Sequence, residues 1–121
     1  MIKIIPNFPD NVLALSAEGE ITGTDYETIL IPALEAKLKI NKKISVLYHI
    51  SSNFIGFDLS AMFDDAKFGI KHLSSFERIA FVSDHPKINS LVKFFSHIIP
   101  SEVRIFKDAE LEEAKKWISA L

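Results

Sequence analysis

His49, Ser51 and Asp58 are the residues of this chain whose types and spacing come nearest to a catalytic set. A serine nucleophile, a histidine base and an aspartate orienting the base would together perform acyl transfer. The surrounding residues argue against it. No Gly-x-Ser-x-Gly turn encloses Ser51, and on an extended chain a histidine two residues before a serine lies beside it rather than against its hydroxyl. The other histidines, His72, His85 and His97, fall at expected helix ends or beside caps, without the converging spacing of a metal site. The chain has no cysteine, which removes disulfides, thiolate catalysis and Cys-based metal sites together, and its four glycines form no phosphate-binding loop. The expectation is a protein that binds rather than catalyses, with no metal and no cofactor.

Residues 53–65, reading Asn-Phe-Ile-Gly-Phe-Asp-Leu-Ser-Ala-Met-Phe-Asp-Asp, carry aromatic side chains through a loop and into a helix start. Asp58 is the expected N-cap, because its carboxylate can accept from a free backbone N–H of the first turn. Gly56, without a Cβ, is the expected loop hinge. On the helix from Asp58 to about His72, the residues Leu59, Met62, Phe63, Ala66, Ile70 and Leu73 form a stripe expected to face the sheet. Phe57 and Phe68, with Ala61, fall nearly opposite that stripe, and Phe94 sits beside Leu91 at the edge of the next helix's apolar face. Apolarity on two sides can mean packing against neighbouring helices or a dimer mate, or a surface for a ligand. Phe54, Phe57, Phe68 and Phe94 are therefore the candidates for a patch that takes a hydrophobic small molecule or lipid, or that touches a membrane.

The elements that must hold these residues can be read in turn. Ile2 to Ile5 and Val12 to Ala17 are strands joined by a turn over Pro6, Pro9, Asp10 and Asn11. Thr24 and Glu27 have capping-box spacing, so a helix should start there; Pro32 then removes one of its hydrogen bonds, giving a bent or two-piece helix to about Ile40. Ile44 to Ile50 is the next strand, Ile79 to Val82 a buried one, and Val103 to Phe106 the last. Asp84 and Pro86 open a helix on which Ile88, Leu91, Val92, Phe95, Ile98 and Ile99 follow helical spacing, ended by Pro100. Asp108 caps a final helix with Leu111, Ala114, Ile118 and Leu121 inward. Asp64 and Asp65 beside Lys67 and Lys71 read as a solvated face. The order predicts an α/β fold: a mixed, mostly parallel sheet of four or five strands with about four helices packed on it, in one domain over residues 1–121.

Charge and hydropathy exclude other classes. The 14 basic and 16 acidic residues are mixed along the chain, for a formal net charge of −2, and form no basic stripe of the kind that recruits nucleic acid. No run approaches the ~18 apolar residues of a membrane span. A soluble, cytoplasmic protein is expected, at most peripheral at a membrane.

Several segments also carry a family pattern: Gly-x-x-Thr-x-x-Asp-Tyr-Glu from Gly19, Ile-Pro-Ala-Leu-Glu from Ile31, and Phe-x-Gly-Phe-Asp-Leu-x-Ala-x-Phe-Asp-Asp from Phe54. Lys-Phe-Gly-Ile-Lys-His from Lys67, Phe-Glu-Arg-Ile-Ala-Phe-Val-Ser-Asp from Phe76 and Glu-Val-Arg-Ile-Phe from Glu102 continue it. Together they resemble the SpoIIAA-like family, a branch of the STAS fold of sulfate transporters and anti-sigma-factor antagonists, over nearly the whole chain. The resemblance implies a small bacterial regulatory or ligand-binding domain. Through the likeness of STAS sheets to lipid carriers it implies an apolar ligand, and through the antagonists a protein partner or a homodimer. The antagonists carry a switch serine, in an Asp-Ser-Ser-Gly context, at the start of the helix after the third strand. Here that place reads Gly56, Phe57, Asp58, Leu59, Ser60. Ser60 is the nearest phosphoacceptor, with Ser51 and Ser52 on the strand side of the loop, but Asp58 already places a negative charge at the helix N-terminus. No obligatory phosphorylation is expected.

Overall fold

The computed structural model describes residues 1–120, without the side chains of Ile70 and Leu73. Its strands are Ile2–Ile5 (β1), Val12–Ala17 (β2), Glu20–Ile21 (β3), Ile44–Ile50 (β4), Gly56–Phe57 (β5), Phe76–Val82 (β6) and Glu102–Phe106 (β7). The first helix is composite: Gly23–Asp25 (α1) passes through a π-helical turn, Tyr26–Leu30, into Ile31–Leu38 (α2). Three more follow, Leu59–Lys71 (α3), Pro86–Ser96 (α4) and Leu111–Ser119 (α5).

Five strands form the main sheet in the order β1-β2-β4-β6-β7, all neighbours parallel except β1 with β2. On β2, Leu13, Leu15 and Ala17 face one side and Val12 and Ala14 the other, and all five are buried. A strand covered on both faces has no polar side, which is why its sequence is a continuous apolar run. The first helix, α3 and α4 contribute to the core on one face. On the other face α5 sets Ala114 and Ile118 against Val12, Ala14, Leu47, Ala80, Val82 and Phe106. Leu121, expected inward, lies outside the described residues.

Local chemistry shifts several boundaries. The capping box is Thr22 with Asp25, not Thr24 with Glu27: Thr22 Oγ1 accepts from the Asp25 N–H at 3.2 Å and Asp25 Oδ2 from the Thr22 N–H at 2.9 Å. The same residue types recur at both offsets, and the earlier pair wins because helix geometry already begins at Gly23. The helix adapts to Pro32 by widening the turn before it, where the Ile31 N–H reaches back to the Tyr26 carbonyl. β6 starts at Phe76, ahead of its apolar run, and Arg78 donates to the Trp117 carbonyl at 2.9 Å. Asp84 does not cap α4, whose N-cap position is His85; its carboxylate instead accepts from the Asp108 N–H at 3.1 Å. Asp108 lies in a 3-10 turn before α5, and Glu110 accepts the Lys107 N–H at 2.8 Å.

Candidate functional site

The segment around Gly56 is tied down at both ends. Gly19, at φ 60°, turns the chain after β2 in a left-handed conformation that favours glycine. β3 then pairs with β5 as a second, two-stranded parallel sheet that the sequence reading lacked. The Ile55 N–H donates to the Gly19 carbonyl at 2.8 Å and the Asp58 N–H to the Ile21 carbonyl at 2.9 Å. Gly56 therefore sits in a strand opposite Glu20 rather than in a free loop, at a φ outside the left-handed region and with open space where a Cβ would stand. Asp58 is the N-cap expected, accepting from the Ala61 N–H at 2.7 Å.

This pairing fixes which side of α3 points inward, and it is the side opposite to the predicted one. Phe57 lies beside Ile21 in register and packs edge-on against Tyr26 at 6.5 Å. From Phe57 the inner positions run through Ala61 and Asp65 to Phe68, at helical spacing. Ala61 is fully buried, and Phe68 packs on the core. Close approach is possible because position 23 is glycine: a Cβ there would come within 2.5 Å of the Ser60 Cβ. The predicted stripe faces out instead, with Leu59 84 % and Phe63 67 % exposed and Met62 and Ala66 also exposed; Ile70 and Leu73 lie outside the described side chains. Both stripes have helical spacing, but the inner one contains Asp64 and Asp65, so hydrophobicity alone selects the wrong one.

Those two aspartates join α3 to the first helix. Tyr26 donates to Asp65 Oδ1 at 2.9 Å, and its hydroxyl lies 3.3 Å from that of Tyr48 on β4. Burial, then the Asp65 charge, push the Tyr26 hydroxyl far above its ordinary range, and burial first does the same for Tyr48. Asp65 keeps solvent access over part of its side chain, yet crowding by surrounding protein raises its carboxyl, with the Tyr26 hydrogen bond opposing. Asp64 does not pair with Lys67. Asp64 stands beside Glu27, whose carboxyl is raised by that neighbouring carboxylate, and Asp64 Oδ2 is buried without a protein partner.

Of the predicted aromatic patch, the structure gathers three members and leaves one apart. Phe54 stacks 5.0 Å from Phe57 and 5.5 Å from His85, whose Nε2 donates to the Ser51 carbonyl at 3.0 Å. Phe54, Phe57 and Phe68 are partly buried against the core. Phe94 is 63 % exposed and touches Phe95. On α4 only Ile88 and Val92 of the predicted inner set pack on the core; Leu91, Phe95 and Ile98 are exposed with Phe94. Among the described residues, eight of the eleven exposed large apolar side chains thus fall on or beside α3 and α4: Ile55, Leu59, Met62, Phe63, Leu91, Phe94, Phe95 and Ile98.

The catalytic-type residues are dispersed. Ser51 donates to Asn53 Oδ1, Asp58 is occupied as a cap, and His49 points to the α5 face with Nε2 3.3 Å from Asp108 Oδ1. Asp108, expected as a helix cap, is thus also the partner of His49. Ser60 is exposed on the first turn of α3. No helix of the described residues is long and apolar enough to cross a membrane.

A five-stranded mixed sheet, parallel but for one edge, with helices on both faces, defines the class as an α/β domain of STAS type. The SpoIIAA-like family model matches residues 12–119, and the chain belongs to that family. Among solved structures it is similar to an uncharacterized protein of the DUF3478 family with a SpoIIAA-like fold from Shewanella loihica PV-4. The two share 29% identity with a TM-score of 0.77, over 98% of this chain and 92% of that one. The search of curated proteins found no match.

Proposed function

We propose that this chain is a non-enzymatic binding domain that presents α3 and α4 to an apolar surface, with a lipid layer as the leading partner and a hydrophobic small molecule as a further ligand of the same face. The observation that carries the reading is the concentration of exposed apolar side chains on these two helices. A monomer that left so many large apolar groups in water would be exceptional without a use for them. Side chains exposed on two helices, rather than gathered around a cavity, suit a surface better than an enclosed molecule. Phe54, Phe57 and Phe68 support the face from beneath, and Phe94 belongs to it. A protein partner, of the kind anti-sigma antagonists engage, would meet the same face, and the family supports a regulatory role of that type.

Co-sedimentation with phospholipid vesicles separates the two. The parent should sediment with vesicles, and Phe63→Ser with Phe94→Ser should reduce the bound fraction at least about tenfold, the loss expected when two aromatic anchors are removed. Because both residues are exposed, the variant should keep its thermal midpoint. A parent that stays in the supernatant would leave the protein-partner reading in its place.

A further inference from the structure

Along the corner formed by α4, β7 and the segment between them, basic side chains outnumber acidic ones. Residues 86–107 hold Lys87, Lys93, Arg104 and Lys107 against Glu102, with Asp84 and Asp108 flanking the segment at its two ends, in a chain of formal net charge −2. Glu102 is already engaged, 3.3 Å from the Arg78 Nε. This excess comes from separated residues brought together by the fold, so a search for basic runs does not find it.

The same corner contains an open strand. β7 ends the sheet and pairs with β6 on one side only. Such an edge offers unpaired backbone N–H and C=O groups along its free side. A groove of about 540 Å³ lies between this strand and α4, lined by Asn89, Ser90, Lys93, Ser96 and His97 and by Val103 and Ile105. Arg104, between those two, serves the opposite face, its guanidinium 4.9 Å from the Phe106 ring and 5.3 Å from the Trp117 ring. Cations therefore stand on both faces of one edge strand, Lys93 of α4 beside one and Arg104 on the other.

We propose that the free edge of β7 receives an extended acidic segment of a partner protein, which joins the sheet as a further strand. Backbone pairing would supply affinity, and the alternating side chains of the added strand would supply selection. One set falls in the groove beside Lys93 and His97, the other beside Arg104, so acidic residues are matched on either face. A second copy pairing edge to edge would set Arg104 and Lys93 against their own counterparts, which like-charge repulsion disfavours. The charges that keep copies apart thus select an acidic strand. An anionic membrane would attract the same lysines but has no backbone groups to satisfy the edge. The groove shares α4 with the apolar face but is not lined by Leu91, Phe94, Phe95 or Ile98, so the inference does not require a lipid partner.

The test is a titration of the ¹⁵N-labelled full chain with a blocked peptide of about ten residues alternating Glu and Val, against a Lys and Val counterpart. The Glu peptide should shift the amides of Val103, Arg104, Ile105 and Lys107 and those of Lys93 and Ser96, and should weaken as salt is added. Lys93→Glu with Arg104→Glu should lower its affinity by at least about tenfold and raise that of the Lys peptide. Lys93→Gln with Arg104→Gln, which introduces no new charge, should give the first effect without the second if the reversal variant fails to fold. The proposal is overturned if the Glu peptide leaves the β7 amides unmoved, if it binds no better than the Lys peptide, or if anionic vesicles shift these amides while the peptide does not.

Discussion

The two faces of the sheet are finished in opposite ways. On the α5 side one narrow stripe, Ala114 and Ile118, is wholly buried, and Trp117 is held between cations, with the Arg78 guanidinium 4.8 Å above its ring. Little apolar surface is left over. On the other side α3 and α4 are apolar in two directions. Ala61, Phe68, Ile88 and Val92 join the core, while Leu59, Met62, Phe63, Leu91 and Phe94 remain in water. Exposing such side chains forgoes roughly 1.5–3 kcal/mol each that burial would return. The closed side stabilises the domain, and the open side is where the proposed partner would recover what folding leaves unused.

Truncating each side should expose the contrast most strongly. Ile118→Ala empties a fully buried position and should cost about 2–5 kcal/mol in urea denaturation, with Phe63→Ala within about 0.5 kcal/mol of the parent. Equal losses at the two sites would mean that α3 is closed in solution. A smaller effect is expected at the seam between the first helix and α3. Gly23→Ala forces a Cβ to within 2.5 Å of the Ser60 Cβ and should destabilise by about 1–3 kcal/mol. Adding Ser60→Gly should recover part of that loss; recovery of none would place the strain elsewhere.

The carboxylates at that seam should make the open side sensitive to pH. Asp65 is raised above its ordinary 3.8 by crowding, so the stability from its neutral form is full below that value and is lost as pH rises through the raised one. Asp65→Asn keeps an acceptor for Tyr26 and carries no charge. Its urea midpoint relative to the parent should therefore climb from about pH 4 upward and then level off. A variant that grows relatively weaker as pH rises would show that the ionised carboxylate is the form Tyr26 holds. The smallest effect belongs to Ser60→Ala, which retains the Cβ that meets Gly23 and should change stability by under about 0.5 kcal/mol. It should also leave binding unchanged; a large loss of binding in a folded protein would restore a phosphoserine switch.

The sequence was most informative where one physical rule acts alone. β2 buries apolar side chains on both faces and admits a single reading, and Asp58 is a cap because a carboxylate before a helix has few other uses. It was least informative where two rules compete. On α3 the stripe richer in apolar groups points outward, because the pairing of β5 with β3, the missing Cβ of Gly23 and the Tyr26 to Asp65 hydrogen bond together fix the opposite side inward. None of those contacts is local, and the two-residue strands are too short to show a period. The aromatic site was legible as a region and not as a surface: Phe94 is exposed, whereas Phe54, Phe57 and Phe68 are partly buried against the core. His49 was recognised as polar chemistry at a strand end, but its partner, Asp108, lies fifty-nine residues away.

Hydrogen–deuterium exchange of the full chain, with and without phospholipid vesicles, puts the difference between the two faces to its most direct test. Added protection is expected over residues 55–66 and 87–98, with α5 exchanging at the same rate in both conditions. Protection confined to α5, or none on α3 and α4 while the protein is bound, would contradict it.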